Sequence, residues 1–270
     1  MTAGTRPVKS EQAGPPVRSV RTVDSPAPAV TRAVALLEEL ARSGPLTLTE
    51  LGRRLDLAKS TIANLCAALE GSGMVRRADT RWTLGYKVVE LGQGFLAGTD
   101  LVAEFRRLTD ELPTGQSETL LLAVLDGTDV LYLARHDGTQ PVRLASDVGR
   151  RLPAVVTALG KAMLASLPAA AREARLAQLA ELPALTARSH RTLDALRADL
   201  TATGARGYAV DDEQNTEGVT CLGVALPGWT DPPAAVSTTL LTARMTTDLR
   251  EALVRDLTDL ARRLSSLSRL

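Results

Sequence analysis

Between positions 46 and 84 the apolar residues recur three and four apart, twice over, and then switch to alternation, the signature of two short helices followed by a hairpin. In the first helix Leu48, Leu51 and Leu55 share one face, while Arg53 and Arg54 point elsewhere. Thr47 can cap it, with Glu50 three residues on as the other half of a capping box. Asp56 stands where the chain must turn sharply, and a short Asx side chain tolerates the left-handed backbone such a turn needs. Ser60, or the residue before it, can cap a second helix whose stripe is Ile62, Leu65, Cys66 and Leu69, leaving Lys59, Thr61 and Asn64 on the outer side. Gly71 and Gly73 end that helix, and MVRRADTRWTL supplies two strands around an Asp79-Thr80 turn.

This order of elements is the grammar of a winged helix-turn-helix. Short polar side chains at the start of a reader helix can reach base edges or phosphates, and hairpin arginines can straddle the backbone. The expected DNA contacts are therefore Thr47, Lys59, Ser60, Thr61 and Asn64, with Arg76, Arg77 and Arg81 on the wing. Taken one at a time, each arginine also reads as a solvated surface charge; the ordered set carries the inference.

The flanking pattern divides the chain. A helix over 29–42 is predicted, with Val30, Val34, Leu37 and Leu40 recurring at helical spacing and packed under the reader helix, before Ser43-Gly44-Pro45 stops it. Over 85–98 the spacing is again helical, at Val88, Leu91 and Phe95, and a further amphipathic segment runs over 101–112. From Ser117 the period becomes two. ETLLLAVLDGTDVLYLARHDG reads as two strands joined at Asp126-Gly127, continued by PVRLASD. A helix from about Thr157, others over 169–179 and 192–203, three strands (GYAVDDE, GVTCLGVALPG, AAVSTTLL) and a closing helix over 247–270 complete the rear part. The expected organisation is a leader, disordered, over 1–27, a winged helix-turn-helix over 28–84, a linker helix over 85–100 and a sensor-like domain over 101–270. The class is α+β, an all-α amino-terminal unit joined to an α/β unit with a mostly antiparallel sheet.

Composition limits what this can do. A formal net charge of +1 makes no bulk polyanion binder, but charge is uneven: +2 over 1–27, +2 over 28–98 and −3 over 99–270. A basic front suits DNA and an acidic rear suits another task. The two cysteines, Cys66 and Cys221, lack ligand-like spacing, so neither a disulfide scaffold nor a zinc site is indicated, and a reducing cytoplasm fits. No run of eighteen apolar residues exists and the leader lacks a signal peptide's apolar core, which points to a soluble, cytoplasmic protein without a membrane partner. An enzyme using Cys221, His136 or His190 with the pair Asp211-Asp212 is disfavoured, because neither histidine sits in a nucleophile or metal motif. No cofactor is expected.

Three segments then carry a family resemblance: LAKSTIANLCAALEGSGMV, LPAVVTALGKAMLASL and GYAVDDEQNTEGVTCLGVALPG. TALGKA, followed about fifty residues later by D-D-E and then G-V-x-C, is far more specific than a helix-turn-helix alone. Over residues 28–264 the chain resembles the IclR family of bacterial transcription regulators. The resemblance implies a winged helix reading a palindromic double-stranded operator, a GAF-like effector domain, dimers that pair into tetramers, and repression as the favoured direction. Carried over residue by residue, the effector pocket falls on Leu144, Leu152, Ala158, Leu159, Asp211, Cys221, Ser237 and Thr239. Backbone N–H groups at a helix start near Ala158 and Leu159 make an anion site, Ser237 and Thr239 donate hydrogen bonds, and leucines exclude water. A small organic or aromatic acid suits that set. Asp211 then calls for a donor on the ligand, or for a carboxylate held by backbone amides. Singly, Cys221 also reads as a small buried apolar group, Asp211 and Asp212 as loop caps, and Ser237 as a partner for the backbone. Departures from the family are Val155, where a histidine is frequent, and Asn64, where a basic or imidazole group is; an Asn can instead pair with adenine.

Overall fold

The computed structural model describes residues 25–97, 100–140 and 147–269. It divides into two compact units, Met1–Phe95 and Leu96–Leu270. The expected leader therefore lies outside the described residues up to position 24, as does the PVRLASD segment up to position 146.

In the first unit, α1 (Pro28–Ser43), α2 (Leu48–Leu55) and α3 (Lys59–Gly71) precede a hairpin of β1 (Val75–Ala78) and β2 (Arg81–Leu84). The capping box on α2 is present in both halves, and Asp56 closes that helix in the left-handed region at φ 54° and ψ 47°. The close α2–α3 turn also explains Gly52, where a Cβ would meet the Leu57 carbonyl at 2.9 Å. The hairpin pairs Val75 with Leu84 and Ala78 with Arg81, and Leu46 adds a single bridge to Trp82. The core gathers Leu36, Leu40, Leu46, Leu51, Leu55, Ile62, Cys66, Val75 and Trp82.

Two expectations fail here. On α1 Leu40 is buried and Leu37 packs against the core as expected, but Val30 and Val34 stay 63% and 49% exposed and Leu36, outside the expected stripe, is fully buried. On α3 neither Ser60 nor Lys59 caps: Ala58 occupies that position with no side-chain cap hydrogen bond, and the helix opens at Lys59. The linker α4 (Lys87–Ala97) follows, and the boundary between units falls within it.

In the second unit α5 (Asp100–Thr109) leads into β3 (Thr119–Asp126) and β4 (Asp129–His136), then β5 (Arg151–Pro153), α6 (Ala158–Ser166), α7 (Ala169–Leu176) and α8 (Leu193–Arg206). β6 (Ala209–Asp212), β7 (Val219–Thr230), β8 (Pro233–Leu241) and α9 (Thr247–Leu264) complete it. The six strands lie in the order β5-β4-β3-β8-β7-β6, and each neighbouring pair is antiparallel. The hairpin between β3 and β4 is one residue later than expected: Asp126 still pairs with Asp129, so Gly127 (φ 63°) and Thr128 make the turn. The strand beside β4 is Arg151–Pro153, a segment without a strand-like period.

The sheet is covered on both faces. On one, Leu120, Leu122, Leu222, Val224 and Val236 pack with Phe105 and Leu108 of α5 and with Leu253, Leu257 and Leu260 of α9. On the other, Leu121, Ala123, Tyr132 and Ala235 pack with Leu159 and Met163 of α6 and with Leu196 and Leu200 of α8. Among the described residues no helix is long and apolar enough to cross a membrane.

Candidate functional site

In the first unit the start of α3 presents Lys59, Ser60 and Asn64 as exposed residues, with Thr61 half-buried between them. On the wing, Arg76 lies over the Tyr86 ring at 5.4 Å, and Arg77 donates from Nε to the Asp79 carbonyl at 2.9 Å. Thr47 and Arg81 are committed differently. The Thr47 hydroxyl donates to Glu50 Oε2 at 2.9 Å and accepts from the Glu50 amide at 3.2 Å, while Arg81 reaches the Pro45 carbonyl at 3.0 Å and Glu50 Oε2 at 3.2 Å. These two tie the wing to the start of α2. The Glu50 carboxyl is held below its ordinary range, first by the Thr47 amide, then by its hydroxyl, with Arg81 adding.

In the second unit the register puts the expected effector residues into two rows. Asp211 lies opposite Cys221 and Cys221 opposite Thr239, while Gly223 lies opposite Ser237 and Ser237 opposite Leu121. Side chains two apart share a face, so both rows look toward α6 rather than α9. Ala158 and Leu159 begin α6, with Thr157 as its cap, accepting the Gly160 N–H at 3.0 Å. The approach of helix to sheet is close because Gly223 has no side chain: a Cβ there would stand 2.6 Å from the Ala158 carbonyl oxygen. Ala158, Leu159, Asp211, Ser237 and Thr239 are buried; Leu152 and Cys221 are half-buried on the same side. Leu144 lies outside the described residues.

The question of Asp211 resolves in favour of backbone amides. Its Oδ1 accepts the Gln214 N–H at 2.7 Å and the Asn215 N–H at 3.2 Å. Burial nonetheless pushes this carboxyl up to about 6, against the pull of those amides and of Lys161. The Cys221 thiol is raised too, by burial first and by neighbouring Asp211 second. Tyr132 on β4 is buried on this face, and burial followed by the influence of Cys221 raises its hydroxyl. Sequence reading passed over Tyr132, whose alternation on a strand looks like any core position. It also passed over Lys161, a lone cation in the apolar run ALGKAMLA, fully buried and bonded to Asp199, Val210 and Gln214.

His136 lies apart from these rows, with its Nε2 3.0 Å from the Gln116 carbonyl and its Nδ1 3.6 Å from Asp110 Oδ1. Among the described residues no group of three His, Cys, Asp or Glu side chains could hold a metal. A surface cavity of about 250 Å³ lined by Tyr208, Arg250, Glu251, Val254 and Arg255 opens along α9, away from the polar rows.

Comparison with known proteins places both units. Residues 29–79 match the IclR helix-turn-helix domain and residues 93–266 match the domain described as bacterial transcriptional regulator IclR C-terminal. The acetate operon repressor of Salmonella typhimurium is 30% identical over 251 residues, covering 90% of both chains. The transcriptional repressor IclR of Escherichia coli gives the same identity and coverage. Among solved structures, an IclR homolog from Microbacterium hydrocarbonoxydans complexed with 4-hydroxybenzoate superposes with a TM-score of 0.74 at 23% identity, covering 88% of this chain and 99% of that one, a likeness of fold.

Proposed function

The chain belongs to the IclR family of bacterial transcriptional regulators, and from that premise we propose that it is a repressor that binds a palindromic operator as a dimer, or a pair of dimers, and is controlled by a small carboxylate-bearing metabolite. One observation carries the effector half of this reading. Ser237, Thr239, Asp211 and Cys221 are gathered under the start of α6 on a face that is otherwise apolar. Hydroxyl donors and the leading amides of Ala158 and Leu159 suit a carboxylate, and Leu152, Leu159 and Tyr132 suit the body of an organic or aromatic acid. The Microbacterium relative's 4-hydroxybenzoate is an acid of that kind.

Exposed apolar side chains favour a homodimer. Leu91 and Phe95, four apart on α4, are 55% and 59% exposed, and Val89 is 62% exposed. An effector changes operator affinity only through its different affinity for two arrangements of such a dimer, typically about 1–3 kcal/mol of coupling.

The DNA half is tested by a gel shift against the gene's own upstream region at 50 and 200 mM salt. Lys59, Arg76 and Arg77 from each of two copies make six phosphate contacts, so log K should fall against log salt with a slope of about −5, roughly a thousandfold over that range. Lys59→Ala with Thr61→Ala should abolish specific binding in a folded dimer. Salt-insensitive binding, or unchanged operator affinity in that variant, would mean that the helix-turn-helix serves protein contacts instead.

A further inference from the structure

Among the described residues Lys161 is the largest charged side chain with no solvent exposure, and neither function proposed above makes use of it. An ammonium taken out of water is costly unless each of its protons is met. Here Nζ has three acceptors for three protons: Asp199 Oδ2 at 2.6 Å, the Val210 carbonyl and Gln214 Oε1. Each acceptor lies on a different part of the fold. Asp199 is on α8, Val210 is on β6, and Gln214 is in the turn after it. β6 is an edge strand, paired with β7 alone, so its outward carbonyl at Val210 needs a donor from elsewhere. Asp199 supplies the balancing charge and is itself bonded to His190 Nε2 at 3.0 Å and Arg206 at 3.4 Å.

What the ammonium holds is next to the effector rows. Val210 precedes Asp211, and the residue whose side chain meets Nζ, Gln214, gives its own N–H to the Asp211 carboxylate at 2.7 Å. The outer side of the turn has separate anchors: Thr186 donates to the Glu213 carbonyl and Ser189 to the Gln214 carbonyl, each at 2.7 Å. Lys161 fixes the inner side. It also sits on α6, three residues after Ala158, so one side chain joins the helix that would meet a carboxylate to the strand that carries Asp211.

We propose that Lys161 is a positioning residue for the effector site: it pins the Asp211–Asn215 turn to α6 and thereby sets which acids the site accepts, without touching them. The proposal rests on the effector-site reading above. Only an ammonium meets all three acceptors at this depth; an arginine's planar fork presents its donors in one plane and would not.

The test uses the full-length protein with Lys161→Met, and with Lys161→Met combined with Asp199→Asn so that no unpaired charge is left buried if the single variant fails to fold. Hydrogen exchange should accelerate at least tenfold in peptides covering 211–215 and stay within twofold over α6 and β7. Operator affinity should match the parent protein. In a panel of monocarboxylic and dicarboxylic acids including 4-hydroxybenzoate, the concentration that half-releases operator should rise at least tenfold. Unchanged exchange over 211–215, or equal acceleration across α6 and β7, overturns the pin. Faster exchange with unchanged release concentrations overturns its control of acid selection. If no acid releases operator from the parent protein while the exchange result holds, the pin stands and the effector reading is what fails.

Discussion

Replacing Asp211 by Asn should stabilise the second unit at neutral and alkaline pH and lose that advantage in acid. In the fold this carboxyl titrates near 6 rather than at its ordinary 3.8, because burial outweighs the two amides it accepts from. The folded state therefore holds the proton more tightly than the unfolded chain. The associated stability is present in full below about 3.8 and is lost as pH rises through about 6. At about 1.4 kcal/mol per decade of acidity, the full difference is about 3 kcal/mol, of which the wild-type protein regains about 1–2 kcal/mol on going from pH 8 to pH 5. Asn keeps an oxygen that can accept from Gln214 and Asn215 and carries no charge at either pH. The two tryptophans allow the unit to be watched alone: Trp82 lies in the first unit and Trp229 in the second, so urea unfolding by fluorescence in a Trp82→Phe background follows only the second. Asp211→Asn should exceed its parent by about 1–3 kcal/mol at pH 8, and the gap should shrink by about 1–2 kcal/mol at pH 5. A gap of the same size at both pH values would refute the claim that this carboxyl is buried against its charge.

Ser237→Ala with Thr239→Ala should blunt the effector response while operator binding without effector stays intact; loss of both in the same gel shift would sink the pocket assignment. Gly223→Ala places a methyl 2.6 Å from the Ala158 carbonyl oxygen and 2.7 Å from its carbon, so backbone must move, and the denaturation midpoint should fall by an amount worth about 1–3 kcal/mol; a midpoint unchanged would show that α6 can lift freely. Leu91→Ser with Phe95→Ser should convert a dimer to a monomer in light scattering, and an unaltered mass would remove α4 from the interface.

How much of this was legible depended on how local each signal is. Thr47 with Glu50, Asp56 in its left-handed turn and the alternation of the wing are each settled within four residues, and each is where the pattern put it. The stripe on α1 was legible only in its second half: Leu37 and Leu40 face the core, whereas packing against α2 and α3 buries Leu36 and leaves Val30 and Val34 exposed. The cap of α3 failed for a related reason: Ser60 has the right chemistry, but Gly52 and Leu57 set where the helix can begin, two residues earlier than a serine cap requires. The effector rows needed the family motifs, since Asp211, Cys221 and Thr239 meet only across three strands. Lys161 lies 38 residues from Asp199 and 53 from Gln214, and no spacing rule joins them. A cation in an otherwise apolar helix was the one available sign.

The two faces of the central sheet make the functional assignment a matter of energetics as well as resemblance. Against α5 and α9 the sheet presents mainly leucine and valine, with Thr220 and Thr238 as its buried polar side chains. Against α6 it buries Asp211, Ser237, Thr239 and, from the helix itself, Thr157 and Lys161. Each such group gives up water on folding and contributes little net stability even when hydrogen-bonded. A fold selected for stability alone would fill this space with apolar side chains of equal volume. The polar groups are also not scattered: Asp211 is aimed by two amides, and those amides belong to a turn held by Lys161, Thr186 and Ser189. Local departures from the best-packed solution that are supported in this way mark the places where a protein uses its structure. In this chain they converge on the start of α6, where hydrogen bonds of the fold itself already fix the positions of these groups.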